Sequence, residues 1–244
     1  MNELDKRGYF EMAFGKDCVD DPAGDPSYIL ESELGVTKLW PLRIERLVED
    51  TDTFFDVIEV LHDQVSRPRM RQLHSYGGCG WHHSDFSIDS GRRLYVWQVN
   101  QLLDRGDLSL RLAEDGEDSG RLIAATDDAR AELSHVMAAR TDESTGDRVR
   151  HAMALFRARG ATEHDKRSAV LVLAGVLEER KAVLKAELLS KDEDALFMIA
   201  NRFAIRHNRA DQQSNYDPVF LDWLFWWYLA TVELTDRLLA RTSS

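Results

Sequence analysis

The densest set of chemically able residues in the 244-residue chain is Asn201-Arg202-Phe203-Ala204-Ile205-Arg206-His207-Asn208-Arg209. RNA is cut without a metal ion when a base takes the 2′-hydroxyl proton and a cation holds the phosphate as charge builds on it. Histidine titrates near neutrality, and arginine meets a phosphate with two parallel donors. His207 is therefore the candidate base or acid and Arg202 the candidate phosphate ligand. Asn201, Asn208 and Arg209 are the candidate substrate-binding residues around them. Spacing restricts this reading. At about 100° per residue, Arg202 and His207 stand roughly 140° apart on a helix. They converge only if the helix ends before His207 or if the site is assembled across a two-fold axis. The structural alternative is that the cations sit at a helix C-terminus, where the dipole favours them, and pair with Asp211 to stitch a bundle.

A second group is His74-Ser-Tyr-Gly-Gly-Cys79-Gly-Trp-His82-His83. Its four potential zinc ligands are His74, Cys79, His82 and His83. The spacing is not that of a standard finger, and adjacent histidines in extended chain seldom hold one ion. The glycines around Cys79 fit a tight turn. The sequence thus favours a packed loop over a zinc site, and neither a metal nor another cofactor is expected. No P-loop, dinucleotide fingerprint or serine elbow occurs.

The elements that must position these residues follow from periodicity. Residues 1–37 read as irregular. Apolar residues from Leu42 to Val65 recur at helical spacing, with a break near Asp50-Thr51-Asp52 and a stop at Pro68. A glycine-rich loop follows, then a helix over 92–104. Leu108 to Leu112 alternates as a half-buried strand does, and Arg121 to Ala124 supplies its return. Helices are then expected over 127–139 and 147–159. A long one runs from Thr162 to about Leu189, and another, capped by Ser190 and Glu193, to about 207. The last starts at Asp217-Pro218 and reaches Leu239. Trp223 to Leu229 make that last helix apolar on every side. It must be a central core helix, or its outer face must pack on a second copy of the chain.

Composition bounds the class. Apolar residues make up 43% and charged residues 30%, which is globular composition. Cys18 and Cys79 are too few for a disulfide scaffold and fit a reducing compartment. The N-terminus has no apolar leader and no apolar run reaches membrane-spanning length, so a cytoplasmic protein without membrane contact is expected. The net charge of −12 argues against non-specific coating of nucleic acid. Residues 121–244 carry 18 Lys and Arg against 19 Asp and Glu, so nearly all the excess acid lies in residues 1–120. An anionic substrate is tolerated by the second half alone.

Arg202-Phe-Ala-Ile-Arg-His207 fits the R-x4-6-H motif of the HEPN superfamily of all-helical domains. A helix like Arg167 to Glu178 precedes the motif and an aromatic helix like Trp223 to Leu239 follows it. The first half resembles the N-terminal domains of AbiJ-type abortive-infection proteins. The residues behind that likeness are Phe54-Phe-Asp-Val-Ile-Glu-Val-Leu-His62, His74 to His82, and Asn100-Gln-Leu-Leu103. The resemblance implies a mainly α fold, with an AbiJ-like accessory domain over 1–125 containing helices and a small β-hairpin. A first helix and linker cover 126–146, and a HEPN-like bundle of four or five helices covers 147–244. It also implies a homodimer formed through that bundle, an RNA substrate, and metal-independent ribonuclease activity in phage defence or toxin–antitoxin control. An antitoxin or a defence-complex protein is the further partner implied. In such enzymes the position after the motif arginine is usually polar, often Asn; here it is Phe203. That departure makes Arg206 the alternative phosphate ligand. It also keeps open a domain that dimerises or binds RNA without cutting.

Overall fold

The computed structural model describes residues 2–16, 18, 24–106, 108–139, 143–188, 195–199 and 217–242. The fold is mainly α-helical with a small antiparallel hairpin. Two compact units divide the chain: Met1–Glu114 with Ser119–Leu122, and Asp115–Asp118 with Ile123–Ser244.

The N-terminal unit begins with three short helices, α1 (Asn2–Lys6), α2 (Glu11–Phe14) and α3 (Pro26–Leu34). The expected irregular segment is therefore partly helical. Asp25 caps α3 by accepting from the Ser27 N–H, with Pro26 at the first position. Helices α4 (Ile44–Glu49) and α5 (Thr51–Gln64) meet at Asp50, whose side chain caps α5 by accepting from the Thr53 N–H. Strands β1 (Arg67–His74) and β2 (Gly80–Ser87) form an antiparallel hairpin where the sequence reads as a loop. The expectation failed because β1 carries Arg67, Arg69 and Arg71 in place of an apolar face, and most of its residues are exposed. Helix α6 (Ile88–Arg105) follows, then β3 (Leu110–Leu112) and β4 (Leu122–Ala124), which pair as a second small sheet.

Phe55, Val57, Leu61 and Val65 on the α5 side meet Tyr95, Val96, Val99 and Leu103 of α6 in one core, joined by Leu4, Phe10, Phe14 and Leu30. Gly91 lets α6 pass this close: a Cβ there would stand 2.6 Å from the Ser66 Cα. Asn100 is buried in this core. Its amide donates to the Leu112 carbonyl at 3.1 Å and its carbonyl accepts from the Leu112 N–H at 2.7 Å. Both polar ends are satisfied, as burial requires.

The C-terminal unit contains α7 (Asp128–Ala138), α8 (Glu143–Arg157), α9 (Glu163–Glu179), α10 (Lys181–Glu187), a helical stretch over 195–199, and α11 (Val219–Thr242). Thr162 and Asp165 form a reciprocal capping box that starts α9. The long helix expected from Thr162 to Leu189 is broken at Arg180. That side chain donates to the Thr235 hydroxyl at 2.7 Å and to Asp236 at 2.6 Å, so it is fixed on α11 and does not lie on a solvated face. The Ser190–Glu193 cap lies outside the described residues. Leu173 and Leu177 of α9, Val149 and Phe156 of α8, and Leu224, Phe225 and Leu229 of α11 make the core. Phe156 stacks on Phe225 with ring centroids 3.8 Å apart. No helix among the described residues is long and apolar enough to cross a membrane.

Candidate functional site

Asn201, Arg202, Phe203, Arg206, His207, Asn208 and Arg209 lie outside the described residues. What is described is the frame on either side of them. Before the motif, Leu196 is buried, and its carbonyl accepts from the Tyr228 hydroxyl at 3.1 Å. After it, Asp217 accepts from the Val219 N–H at 3.0 Å and opens α11. From there Leu221, Leu224, Phe225, Tyr228, Leu229 and Val232 enter the core. On the other side of α11, Val219, Phe220 and Trp223 are exposed, and Trp223 stacks on Trp227 at 5.2 Å.

The second group has a described geometry. Hairpin pairing sets it: His74 stands opposite Gly80, and Gln72 opposite His82. His74 and His82 are thus diagonal neighbours on one face of the hairpin, with ring centroids 5.2 Å apart. Cys79 lies in the turn between them. Gly77, Gly78 and Gly80 have φ of 63°, 77° and 83°, a region open to glycine at little cost. The fourth member comes from far away in sequence. Cys18, buried just beyond α2, brings its Sγ to 3.4 Å from His74 Nδ1 and 3.5 Å from Cys79 Sγ. The ligand-capable atoms of Cys18, His74, Cys79 and His82 all lie within 4.8 Å of one another.

His83 does not join them. Side chains alternate along a strand, so His82 and His83 leave opposite faces of β2. His83 Nδ1 sits 2.7 Å from Glu11 Oε2, and its backbone N–H donates to Glu11 Oε1 at 2.8 Å. Lys16 hydrogen-bonds to the Trp81 carbonyl on the same strand. These bonds hold α2 and the residues after it against β2, and so bring Cys18 to the turn. The cluster differs in one member from the four potential ligands named in the sequence: it contains Cys18 and not His83. Local spacing could not show this, because 56 residues separate Cys18 from His74. The one sign in the sequence was that Cys18, one of the chain's two cysteines, had no role assigned to it.

His62 and Asp63 form a further polar pair. His62 is buried, and burial lowers its pKa, with the Asp63 hydrogen bond opposing that shift. Asp63 is held below the usual carboxylate range: burial pushes it up, but hydrogen bonds from Arg121, at 2.8 Å, and His62 outweigh burial. Gly120 closes over the His62 ring so tightly that a Cβ there would stand 2.0 Å from Nδ1. The small cavity of about 170 Å³ beside His62 is lined by Arg92 and Arg93 as well as Asp89 and Glu114, so its charges are mixed. The cleft of about 600 Å³ beside Trp81 and His83 is lined by Asp5 and Glu11 as well as Lys6 and Lys16, so it offers no single sign of charge to an ionic ligand.

Comparison of the chain with protein-family models, curated proteins and solved structures finds no match. The functional reading therefore stands on residues and geometry.

Proposed function

We infer that the chain is a metal-independent ribonuclease of HEPN type, serving in bacterial abortive infection, phage defence or toxin–antitoxin control in the cytoplasm. The observation that supports it is the frame around the motif. A capped α9 and an aromatic α11 share one core, and the Arg202–His207 segment lies between them in sequence. In this reading His207 takes the 2′-hydroxyl proton and Arg202 or Arg206 neutralises the phosphate. The 2′-oxygen bonds to phosphorus, the 5′-oxygen leaves with a proton, and a 2′,3′-cyclic phosphate remains. The exposed Val219 and Trp223 support a homodimer through the C-terminal unit, with the second copy supplying the other half of the site. The AbiJ-like first half would then select a target, an antitoxin or a defence partner. Phe203 beside Arg202 favours a second reading, a dimeric RNA- or partner-binding module that does not cut.

The test is incubation of the purified protein with total tRNA and single-stranded RNA in EDTA, beside His207→Ala. The nuclease reading expects cyclic phosphate ends that vanish in the variant. RNA retained in a dimer but left whole would select the binding module. Cleavage unchanged in His207→Ala would remove the assignment, and a monomer by light scattering at micromolar concentration would count against both readings.

A further inference from the structure

We propose that Cys18, His74, Cys79 and His82 bind one zinc ion that clips the tip of the β1–β2 hairpin to the chain following α2. The donor set is two thiolates and two imidazoles, which selects zinc in tetrahedral geometry. Distances agree. A tetrahedral ion with zinc–sulfur bonds of about 2.3 Å and zinc–nitrogen bonds of about 2.0–2.1 Å separates its ligand atoms by roughly 3.3–3.8 Å. The sulfur–nitrogen and sulfur–sulfur separations at Cys18 are 3.4 and 3.5 Å. A disulfide would need about 2.05 Å, so the cysteines stand at the spacing of ligands to a shared ion and not of a bonded pair.

A separate observation points the same way. The Nε2 atom of His82 is buried and has no hydrogen-bond partner among the described residues. A buried polar nitrogen without a partner is costly, and here it belongs to one of the four clustered residues. An ion bound through His82 Nε2 and His74 Nδ1 uses that nitrogen and the atom already turned toward Cys18. Charge also balances. Two thiols give up their protons to solvent as the metal binds, so the divalent ion and two thiolates form a neutral centre suited to a half-buried place. All four positions are filled by protein, which makes the site structural and leaves no opening for a catalytic water. The hairpin needs such support, because β1 and β2 make a two-stranded sheet with much of each strand exposed, and an isolated hairpin is marginal in water. Glu11 and His83 tie the same hairpin to α2 on its other face.

The test uses the full chain, purified under reducing conditions, and reads metal in place of RNA cleavage, so it stands apart from the nuclease reading. Zinc content is measured by mass spectrometry of the metal, and cobalt(II) is then exchanged in as a probe. The expected result is one zinc per chain and an intense thiolate-to-cobalt charge-transfer band with the visible bands of a tetrahedral ion. Cys79→Ser and Cys18→Ser should each lose the bound zinc. The wild-type cobalt spectrum needs no variant, so a variant that fails to fold does not blunt the test. Wild-type protein that retains no zinc after dialysis against it and shows no thiolate–cobalt band overturns the proposal. So does zinc that persists at one per chain in Cys18→Ser, or a native Cys18–Cys79 disulfide detected by the loss of two hydrogens in mass.

Discussion

Helices α9 and α11 of the C-terminal unit press apolar faces together along their length, with Leu173, Leu177, Leu224, Phe225 and Leu229 all buried. The N-terminal unit is assembled from shorter pieces, and at several junctions one polar side chain answers a distant backbone or side chain. Asn100 holds β3, Glu11 holds β2, and Arg121 reaches Asp63. The contrast shows two ways of closing a core. Burial of area is forgiving of small errors but expensive to remove, because each large side chain contributes about 1.5–3 kcal/mol. A polar clasp contributes little net stability when made, and costs much when half of it is left behind.

The largest break of this comparison is in the apolar unit. Phe225→Ala would open a cavity beside Phe156, on which Phe225 stacks. It is expected to destabilise the C-terminal unit by about 3–5 kcal/mol, read from the urea midpoint of the variant. A loss below about 1 kcal/mol would mean that the bundle collapses into the space and is not rigidly packed there. Next in size is Asn100→Ala. It removes one side chain but leaves both the N–H and the carbonyl of Leu112 without their partner. The expected cost is about 1–3 kcal/mol, with faster amide exchange over β3. Unchanged exchange there would show that water replaces the clasp.

The same contrast explains how much of the molecule was legible in the sequence. Helices that bury a stripe announce themselves by period: α5, α6, α8, α9 and α11 follow from spacing, and Asp50, Thr162 and Asp217 mark starts by their capping chemistry. The β3 strand was visible because Leu108, Leu110 and Leu112 alternate. Strands β1 and β2 were invisible for the converse reason. With arginines at Arg67, Arg69 and Arg71 the hairpin buries no continuous face, so period-two patterning had nothing to report. At the break, Arg180 bonds to Thr235 and Asp236, more than fifty residues away, and such distant contacts leave no local trace in the sequence. The candidate metal centre was half legible for both reasons together. His74, Cys79 and His82 were visible as a cluster. The exclusion of His83 depends on strand parity, and the inclusion of Cys18 depends on the docking of α2.

Acid gives the finest division between the two units. Burial lowers the pKa of His62, Asp63 opposes that shift, and Arg92 and Arg121 reinforce it. The unfolded chain, with an ordinary imidazole value of 6.5, then takes up a proton that the folded N-terminal unit does not. Stability from this group is complete above that value and declines as pH falls through it. Asp118, in the C-terminal unit, has the opposite sign. Burial raises its pKa above 3.8, Arg157 only partly offsets this, and its Oδ2 is buried without a hydrogen-bond partner among the described residues. The folded state therefore binds the proton more readily than the unfolded chain, and acidification through the folded pKa relieves a strain that is present at neutrality. Lowering pH from about 7.5 to about 5.5 should thus reduce amide protection, taken relative to the intrinsic exchange rate at each pH, more in α5 and α6 than in α8 and α9 of the intact protein. His62→Gln should remove the part of the α5 and α6 response that lies near pH 6.5. A response in those helices that survives the substitution would assign the acid sensitivity to another group, and equal responses in both units would dissolve the distinction in proton linkage drawn between them.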